Sequence, residues 1–500
     1  MARTAKIVDL PAITRLDKSK GKISAQLTQI LRDAVQNGEL KAGDPLPSSR
    51  ELASSLAISR GTVIQAYDQL IAEGVLSTAT RTGTFVSHDL SDTVVIIDET
   101  GKQPSDLKPH LTSSAQAYAK ILKEFQPIPH RPFAVSVPVG RTRPNDVWRK
   151  FGNKFRARGE AIPTGYDEPQ GVFSLRHAIA AYVRRSRSVH CEAEQIVICS
   201  GIQQALYICS QILFQPHAQV WVEDPAYRGT TALLANIPQQ IDIVRIPVDE
   251  EGIQVENALN IAPHAQAAFV TPSHQYPLGM PMSLARRSAL IAWAKQQHAW
   301  IIEDDYDSEI RDYGQPFPSL QGMSPDQVIY LGTFSKVLFP SLRLGYAVLP
   351  PALVAPFCGL RALIDRHPPS AEQHVLAAFI QEGYLEKHIR RIRKVYAENR
   401  LQLIALVKQY LPPSLAHLQS GDQGMHMVLW LHPKLNDVEI AIAAVNVDVA
   451  VKAISTTYSL AQQRPGLIMG LSDFDSEQLH YAMQQLAQII KQAAFVHQCL

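Results

Sequence analysis

The chain places reactive and charged side chains where its apolar runs end. In VIYLGTFSKVLFPSLRLGY, residues 328–346, Lys336 closes a strand-like run, preceded by Gly332, Thr333 and Ser335 and followed seven residues later by Arg343. An amine beside hydroxyls and a permanently charged guanidinium suits a cofactor that carries both an aldehyde and a phosphate. Burial near another cation lowers the pKa of such an amine, so it can attack an aldehyde at neutral pH. A lone lysine after a strand is by default solvated; the two hydroxyls and Arg343 set this one apart. EDDYDSE, residues 303–309, follows the apolar run AWII and brings Asp304 and Tyr306. A carboxylate facing a protonated pyridine nitrogen, with a phenol near the ring oxygen, fits the lysine. A solvated acidic loop or a divalent metal site is the rival reading, and a metal leaves Lys336 and Arg343 without a role. Ser200-Gly201-Ile202-Gln203 joins a strand-like run to a helical one, so the amides near Ile202 and Gln203 can hold a phosphate at a helix N-terminus. Ser-Gly is equally an ordinary turn.

The elements that must position these residues are legible as apolar runs. QIVICS, AQVWVED, QIDIVRIPV, AAFVTPS, AWIIEDD, VIYLGTFS and RLGYAVLP alternate with helical stretches, which predicts an α/β fold with a mainly parallel sheet buried on both faces. In such sheets ligands bind at the carboxyl ends of the strands, where the singled-out residues fall. Ahead of this region, residues 89–132 mix polar, Pro and Gly residues with little sustained periodicity and read as a linker.

The first 88 residues follow a different pattern. Ile23, Leu27, Ile30, Leu31, Ala34 and Val35 recur at helical spacing before Gly38. Ser48 and Glu51 form a capping-box pattern, and Ser59 can cap a third helix with Val63, Ala66, Tyr67, Leu70 and Ile71 as its apolar stripe. VLST and TFVS flank ATRTG as a hairpin, so the unit reads as a winged helix; a small helical interaction domain is the plainer alternative. Arg50, Ser59, Arg60 and Thr62 lie off the stripe, and Arg81 and Thr82 sit at the wing tip. Arginines suit guanine edges and hydroxyls suit phosphates, so these six are the candidate DNA contacts.

Composition sets the outer bounds. With 46% hydrophobic residues over 500 positions the chain can bury a large core in more than one domain. The formal charge of +2 gives no global bias toward nucleic acid or membranes, so DNA binding must come from a local patch. The five cysteines show neither zinc nor redox spacing, and no apolar window approaches membrane-span length, which gives the expectation of a cytoplasmic protein.

Two resemblances follow from these motifs. LPSSRELASSLAISRGTVIQAYDQLIAEG with RTGTFV resembles the winged helix-turn-helix of GntR-type bacterial regulators. That likeness implies that Arg50 and Arg60 touch DNA and that the third helix enters the major groove. GTFSKVLFPSLRLGY, EDDYDSE, VTPSHQYPLG and GYDEPQGVFSLRHAIAAY resemble the fold-type I aminotransferase domain of MocR-type regulators, from about Phe133 to the C-terminus. The resemblance implies pyridoxal 5′-phosphate (PLP), with Lys336 as its Schiff-base lysine, Asp304 at the pyridine nitrogen and Tyr306 at the ring hydroxyl. Tyr227 would stack on the ring, although a tyrosine there is equally a core residue. Thr333, Ser335, Arg343 and the amides near Ile202 and Gln203 would hold the phosphate. His274 would lie beside the cofactor, and Tyr166 would reach the partner subunit's phosphate in a homodimer. Residues 1–88 are then a DNA-binding domain, 89–132 a linker and 133–500 a PLP-binding domain. The implied function is a transcription regulator sensing PLP or an amino compound, with a working aminotransferase carrying a DNA-binding appendage as the alternative.

One departure bears on that choice. Aminotransferases commonly carry an arginine near the C-terminus for the substrate carboxylate. Here the stretch reads LIMGLSDF, with Ile468 at that position and Arg464 and Lys452 as the nearby cations.

Overall fold

The computed structural model describes residues 16–79, 83–88, 111–140, 144–159, 165–312, 314, 317–460, 463–471 and 473–496. The chain divides into two compact units, Met1–His110 and Leu111–Leu500.

The first unit contains helices α1 (Ile23–Gln36), α2 (Ser49–Leu56) and α3 (Arg60–Ala72) and an antiparallel pair of strands, β1 (Leu76–Ala79) and β2 (Gly83–Val86). Helix α2 starts where the sequence places a capping box: Ser48 Oγ accepts from the Glu51 amide, and the Glu51 carboxylate accepts from the Ser48 amide. Two amide donors with no partner inside the helix are thereby satisfied. Ala57 ends α2 in the left-handed region, and Ser59 Oγ accepts from Thr62 N to start α3. Leu27, Leu31, Leu52, Val63, Ala66, Tyr67 and Leu70 close a small apolar core against Leu76 and Val86. This is a winged helix-turn-helix, with β1 and β2 as the wing strands.

The second unit begins with α4 (Ser113–Glu124), inside the stretch that reads as linker from sequence. Thr112 caps it by accepting from Ala115 N, and none of its side chains is buried. Ala115, Tyr118 and Leu122 recur at helical spacing along it, but this stripe stays unburied.

The main sheet consists of β3 (Ile196–Cys199), β4 (Gln219–Asp224), β5 (Asp242–Asp249), β6 (Gly252–Ile253), β7 (Ala267–Val270), β8 (Trp300–Asp305), β9 (Val328–Thr333) and β10 (Gly345–Val348), in the order β3-β10-β9-β8-β7-β4-β5-β6. The run β9-β8-β7-β4-β5 is parallel. Strands β3, β7 and β9 are buried at every residue, as expected of a sheet covered on both faces. Strand β10 runs against both of its neighbours and pairs Gly345 with Cys199 of β3 and with Thr333 of β9. Its N-terminal end therefore meets the edge at which the parallel strands finish. A second, antiparallel sheet holds β11 (Ala416–Leu418), β12 (His426–Leu431), β13 (Lys452–Ala453) and β14 (Gly466–Gly470), in the order β11-β12-β14-β13. Among the described residues no helix is long and apolar enough to cross a membrane. The described cysteines are free, three of them buried, and Cys499 lies outside the described residues.

Candidate functional site

At the carboxyl edge of the parallel strands lies a cavity of about 580 Å³, of the size that takes a cofactor. Asp304, Tyr306, Lys336, Arg343, Tyr227 and Gly201 line it. So do four further residues singled out in the sequence, Ile202, Gln203, Thr333 and Ser335.

Strand β8 sorts the acidic run. Glu303 accepts from the amides of Leu320 and Gln321, Asp305 pairs with Arg187 at 2.7 Å and accepts from Tyr330, and Glu309 accepts from Tyr182. Asp307 accepts from Met425 N and faces His274. Of the carboxylates in the run Asp304 alone lines the cavity, and its buried Oδ1 has no hydrogen-bond partner among the described residues. Burial and the nearby Asp305 push its pKa up to about 7, with Lys336 pulling the other way. An orphaned carboxylate oxygen facing a cavity is the position a cationic ring N–H would fill. The solvated-loop reading fails because Glu303, Asp305, Asp307 and Glu309 are buried.

Lys336 follows β9, and burial lowers its amine pKa, opposed by Asp307 and Asp304. Thr333 Oγ1 accepts from Ser335 N at 3.1 Å, which fixes the backbone leading into the lysine. Arg343 has φ +51, a left-handed conformation unusual outside glycine, at the end of the short helical turn Pro340–Leu342. From there its guanidinium donates to the Ser200 carbonyl. Gly201, with φ +96, turns the backbone through a region open to glycine, and a Cβ there would sit 3.3 Å from the Arg343 guanidinium, close enough to push it aside by a few tenths of an ångström. The helix Ile202–Leu213 begins there, so its first amides and Arg343 converge on one place, the arrangement that receives an anion. Lys336, the hydroxyls and this anion seat fit an aldehyde-bearing phosphate, and Asp304 fits its ring nitrogen.

Tyr227 caps the cavity, with its ring edge-on to Tyr276 at 5.7 Å. Gly229 admits it, since a Cβ there would lie 2.2 Å from the Tyr227 ring. His274 does not line the cavity. It is buried behind Tyr306, whose hydroxyl lies 2.9 Å from His274 Nδ1, and Asp307 holds the same nitrogen at 3.0 Å. His426 does line it; burial and His274 lower its pKa to about 4, so it is neutral at pH 7. His274, Asp307 and His426 bring potential ligand atoms within 4.8 Å of one another. Asp307 is already committed to His274 and Met425 N, and His426 Nε2 to the Pro277 carbonyl. His274 and Asp307 thus form the hydrogen-bonded pair behind Tyr306, and His426 adds a ring contact to His274 at 5.2 Å. Tyr166 stands apart from the cavity, 83% exposed, with Arg366 over its ring at 5.5 Å.

Ile468 is fully buried with Tyr276, Val428, Trp430 and Ile454. Of the two cations near it in sequence, Arg464 stacks over Trp430 at 4.3 Å, whereas Lys452 lines the cavity. Two charged lining residues, Glu124 and Arg228, had no place in the sequence reading of the site, and neither did Glu223, whose carboxyl burial raises to about 7. Glu223 and Arg228 flank Tyr227 in EDPAYRG, so that motif carried the signal; Glu124 lies in the assumed linker and carried none.

On the first unit, Arg50, Ser59 and Arg60 are exposed at the starts of α2 and α3, and Arg60 Nε donates to Ser49 Oγ at 3.3 Å. Thr62 is half-buried, with its hydroxyl 2.8 Å from that of Ser59. Arg81 and Thr82 lie outside the described residues.

Comparison with known proteins agrees with both units. Residues 23–86 match bacterial regulatory proteins of the gntR family, and residues 141–486 match aminotransferase class I and II. The chain is 34% identical to the probable rhizopine catabolism regulatory protein MocR of Rhizobium meliloti, over 92% of each chain. It is 32% identical to the HTH-type pyridoxine biosynthesis transcriptional regulator PdxR of Corynebacterium glutamicum, over 97% of this chain and 99% of that one. Among solved structures it resembles the α-aminoadipate aminotransferase LysN of Thermus thermophilus, with TM-score 0.68 and 22% identity over 77% of this chain and 98% of that chain. That last likeness concerns the fold alone. A gntR-type winged helix followed by an aminotransferase class I and II fold, matched along nearly its whole length by such regulators, makes this chain a member of the MocR-type family of DNA-binding transcription regulators.

Proposed function

We propose that the large unit binds PLP and that its occupancy by PLP, or by an amino compound meeting PLP there, sets the affinity of the winged helix for promoter DNA. The observation that carries this is the orphaned Asp304 Oδ1 in the cavity that also holds Lys336 and Arg343. PLP supplies an aldehyde that condenses with amines and a ring that withdraws electrons from the product. The chain's own residues have separate tasks. Lys336 presents an amine whose pKa burial has lowered; Asp304 accepts from the ring N–H; Tyr306, oriented by His274 and Asp307, meets the ring hydroxyl. Tyr227 covers one face, and Arg343, Thr333, Ser335 and the amides of Ile202 and Gln203 bind the phosphate. Arg50, Ser59, Arg60, Thr62, Arg81 and Thr82 contact DNA from the module over residues 1–88.

A ligand shifts DNA binding only by its differential affinity for two states of the chain. The protein works in the cytoplasm as a homodimer, in which exposed Tyr166 reaches toward the partner's phosphate. Aminotransferase activity is not the favoured reading. Ile468 offers no charge to a substrate carboxylate, and an enzyme has no use for a recognition helix.

Adding PLP to the purified full chain is expected to give a visible absorption band, and borohydride is expected to fix the cofactor to the peptide containing Lys336. Lys336→Ala should lose both signals while keeping its fold by circular dichroism. A borohydride-fixed adduct persisting in that variant would sink the assignment of the amine, and operator affinity indifferent to PLP and to amines would sink the regulatory reading.

A further inference from the structure

The cavity has a second charged end that the PLP reading leaves unused. Arg228, the residue after Tyr227, and Lys452, on β13, line it together with Glu124, the last residue of α4, and the segment Phe125–Pro129 that follows. Lys452 lies directly across the sheet from Ile468, so the two side chains share one face. The cation that β14 gives up at Ile468 is therefore restored one strand away. The Lys452 amine forms no hydrogen bond or close ion pair among the described residues, although it lies in the field of Arg228 and Glu124.

Arg228 is occupied by the chain itself. Its guanidinium holds both oxygens of Glu124, at 2.7 and 3.1 Å, in the paired geometry by which arginine recognises carboxylates. The pair is exposed, with side-chain accessibilities of 40% and 42%, and exposed pairs add little net stability because water competes for both partners. Helix α4 has few other ties: none of its side chains is buried, Tyr118 donates to the Asn236 carbonyl, and Leu122 is 67% exposed. A carboxylate arriving in the cavity meets two cations at the expense of one weak internal bond.

Resting on the PLP reading, we infer that Arg228 and Lys452 form the seat for the carboxylate of an amino-acid effector, and that Glu124 is an internal stand-in whose displacement frees α4. The ligand class is an amine bearing a carboxylate at its other end, with the amine directed toward Lys336. Helix α4 is the first element of the large unit in chain order.

The test has two arms on the full chain. In the first, without added PLP, Glu124→Gln should raise hydrogen exchange of the α4 amides several-fold over the wild type; unchanged exchange would show that the pair does not hold α4 and would overturn the inference. In the second, the PLP-loaded protein is titrated with unbranched ω-amino acids from glycine to 5-aminopentanoate and with the matching alkylamines, read by the shift of the visible band. At least one amino acid should act at a concentration at least tenfold below its amine. That advantage should fall to about onefold in Lys452→Gln and Arg228→Gln and grow in Glu124→Gln, an opposite response that misfolding cannot imitate. Equal potency of acids and amines in the wild type, or an advantage surviving both cation replacements, would overturn the seat while leaving PLP binding intact. Failure of the chain to take up PLP at all would overturn the PLP reading and this inference with it.

Discussion

Among the proposed cofactor contacts, Asp304 is a buried carboxyl whose charged form the empty site disfavours. Its pKa is raised to about 7 chiefly by burial, so the folded chain prefers the protonated form. A carboxyl raised in this way costs nothing below its unfolded pKa near 4; the cost builds as pH rises and is complete above pH 7. Asp304→Asn should therefore stabilise the PLP-free protein at pH 8 by on the order of 1–3 kcal/mol, and by less at pH 5, in urea melts. The same variant should hold PLP more weakly, because the ring N–H loses its anionic acceptor; stabilisation equal at both pH values would show that Asp304 is not charged in the empty site. Lys336, Asp304, Tyr306 and Arg343 were legible in the sequence because each ends an apolar run or follows a short turn from one, and sheet geometry sends such positions to one edge. The His274 ring lies one layer behind the cavity, against Tyr306 and Asp307 and over Gly424, where a Cβ would lie 1.9 Å from it. Arg228 and Glu124 were illegible as partners, since they meet through two helices far apart in the chain.

At the scale of elements, the caps of the winged helix are the clearest sequence signals. Removing the Ser48 side chain takes away one half of the capping box of α2, and Ser48→Ala should lower the stability of the first unit by about 1 kcal/mol, measured on that unit's unfolding transition. Arg60 leans on Ser49 across the turn, so its guanidinium is held at the exposed start of α3. Arg60→Ala should weaken operator binding without moving the PLP band, and should reduce the slope of log affinity against log salt by about 1 if the contact is to phosphate. An unchanged slope with lost sequence preference would instead assign Arg60 to a base edge. Seven of the eight strands of the main sheet were visible as apolar runs, the two-residue β6 being too short to show, but not the reversal of β10, because a buried antiparallel strand and a buried parallel one share the same composition. Helix α4 escaped for another reason: its Thr112 cap and short stripe of Ala115, Tyr118 and Leu122 sit in a stretch of mixed polar, Pro and Gly residues that hides them.

For the whole molecule, two units with separate cores predict two unfolding transitions. PLP at about 100 times its dissociation constant should raise the stability of the large unit by about 2.7 kcal/mol and leave the winged-helix transition where it was. Calorimetry with and without PLP checks this, and a joint shift would mean that the cofactor ties the units into one cooperative body. Strand β10 has a consequence at this scale. Because it runs against the grain of its neighbours, the anion seat needs the finish of β3 and the beginning of β10, elements separated by most of the large unit's αβ region. No excised piece spanning less than residues 201–343 contains both Gly201 and Arg343, so a proteolytic fragment of the regulator keeps its grip on the signal only if that entire span survives uncut.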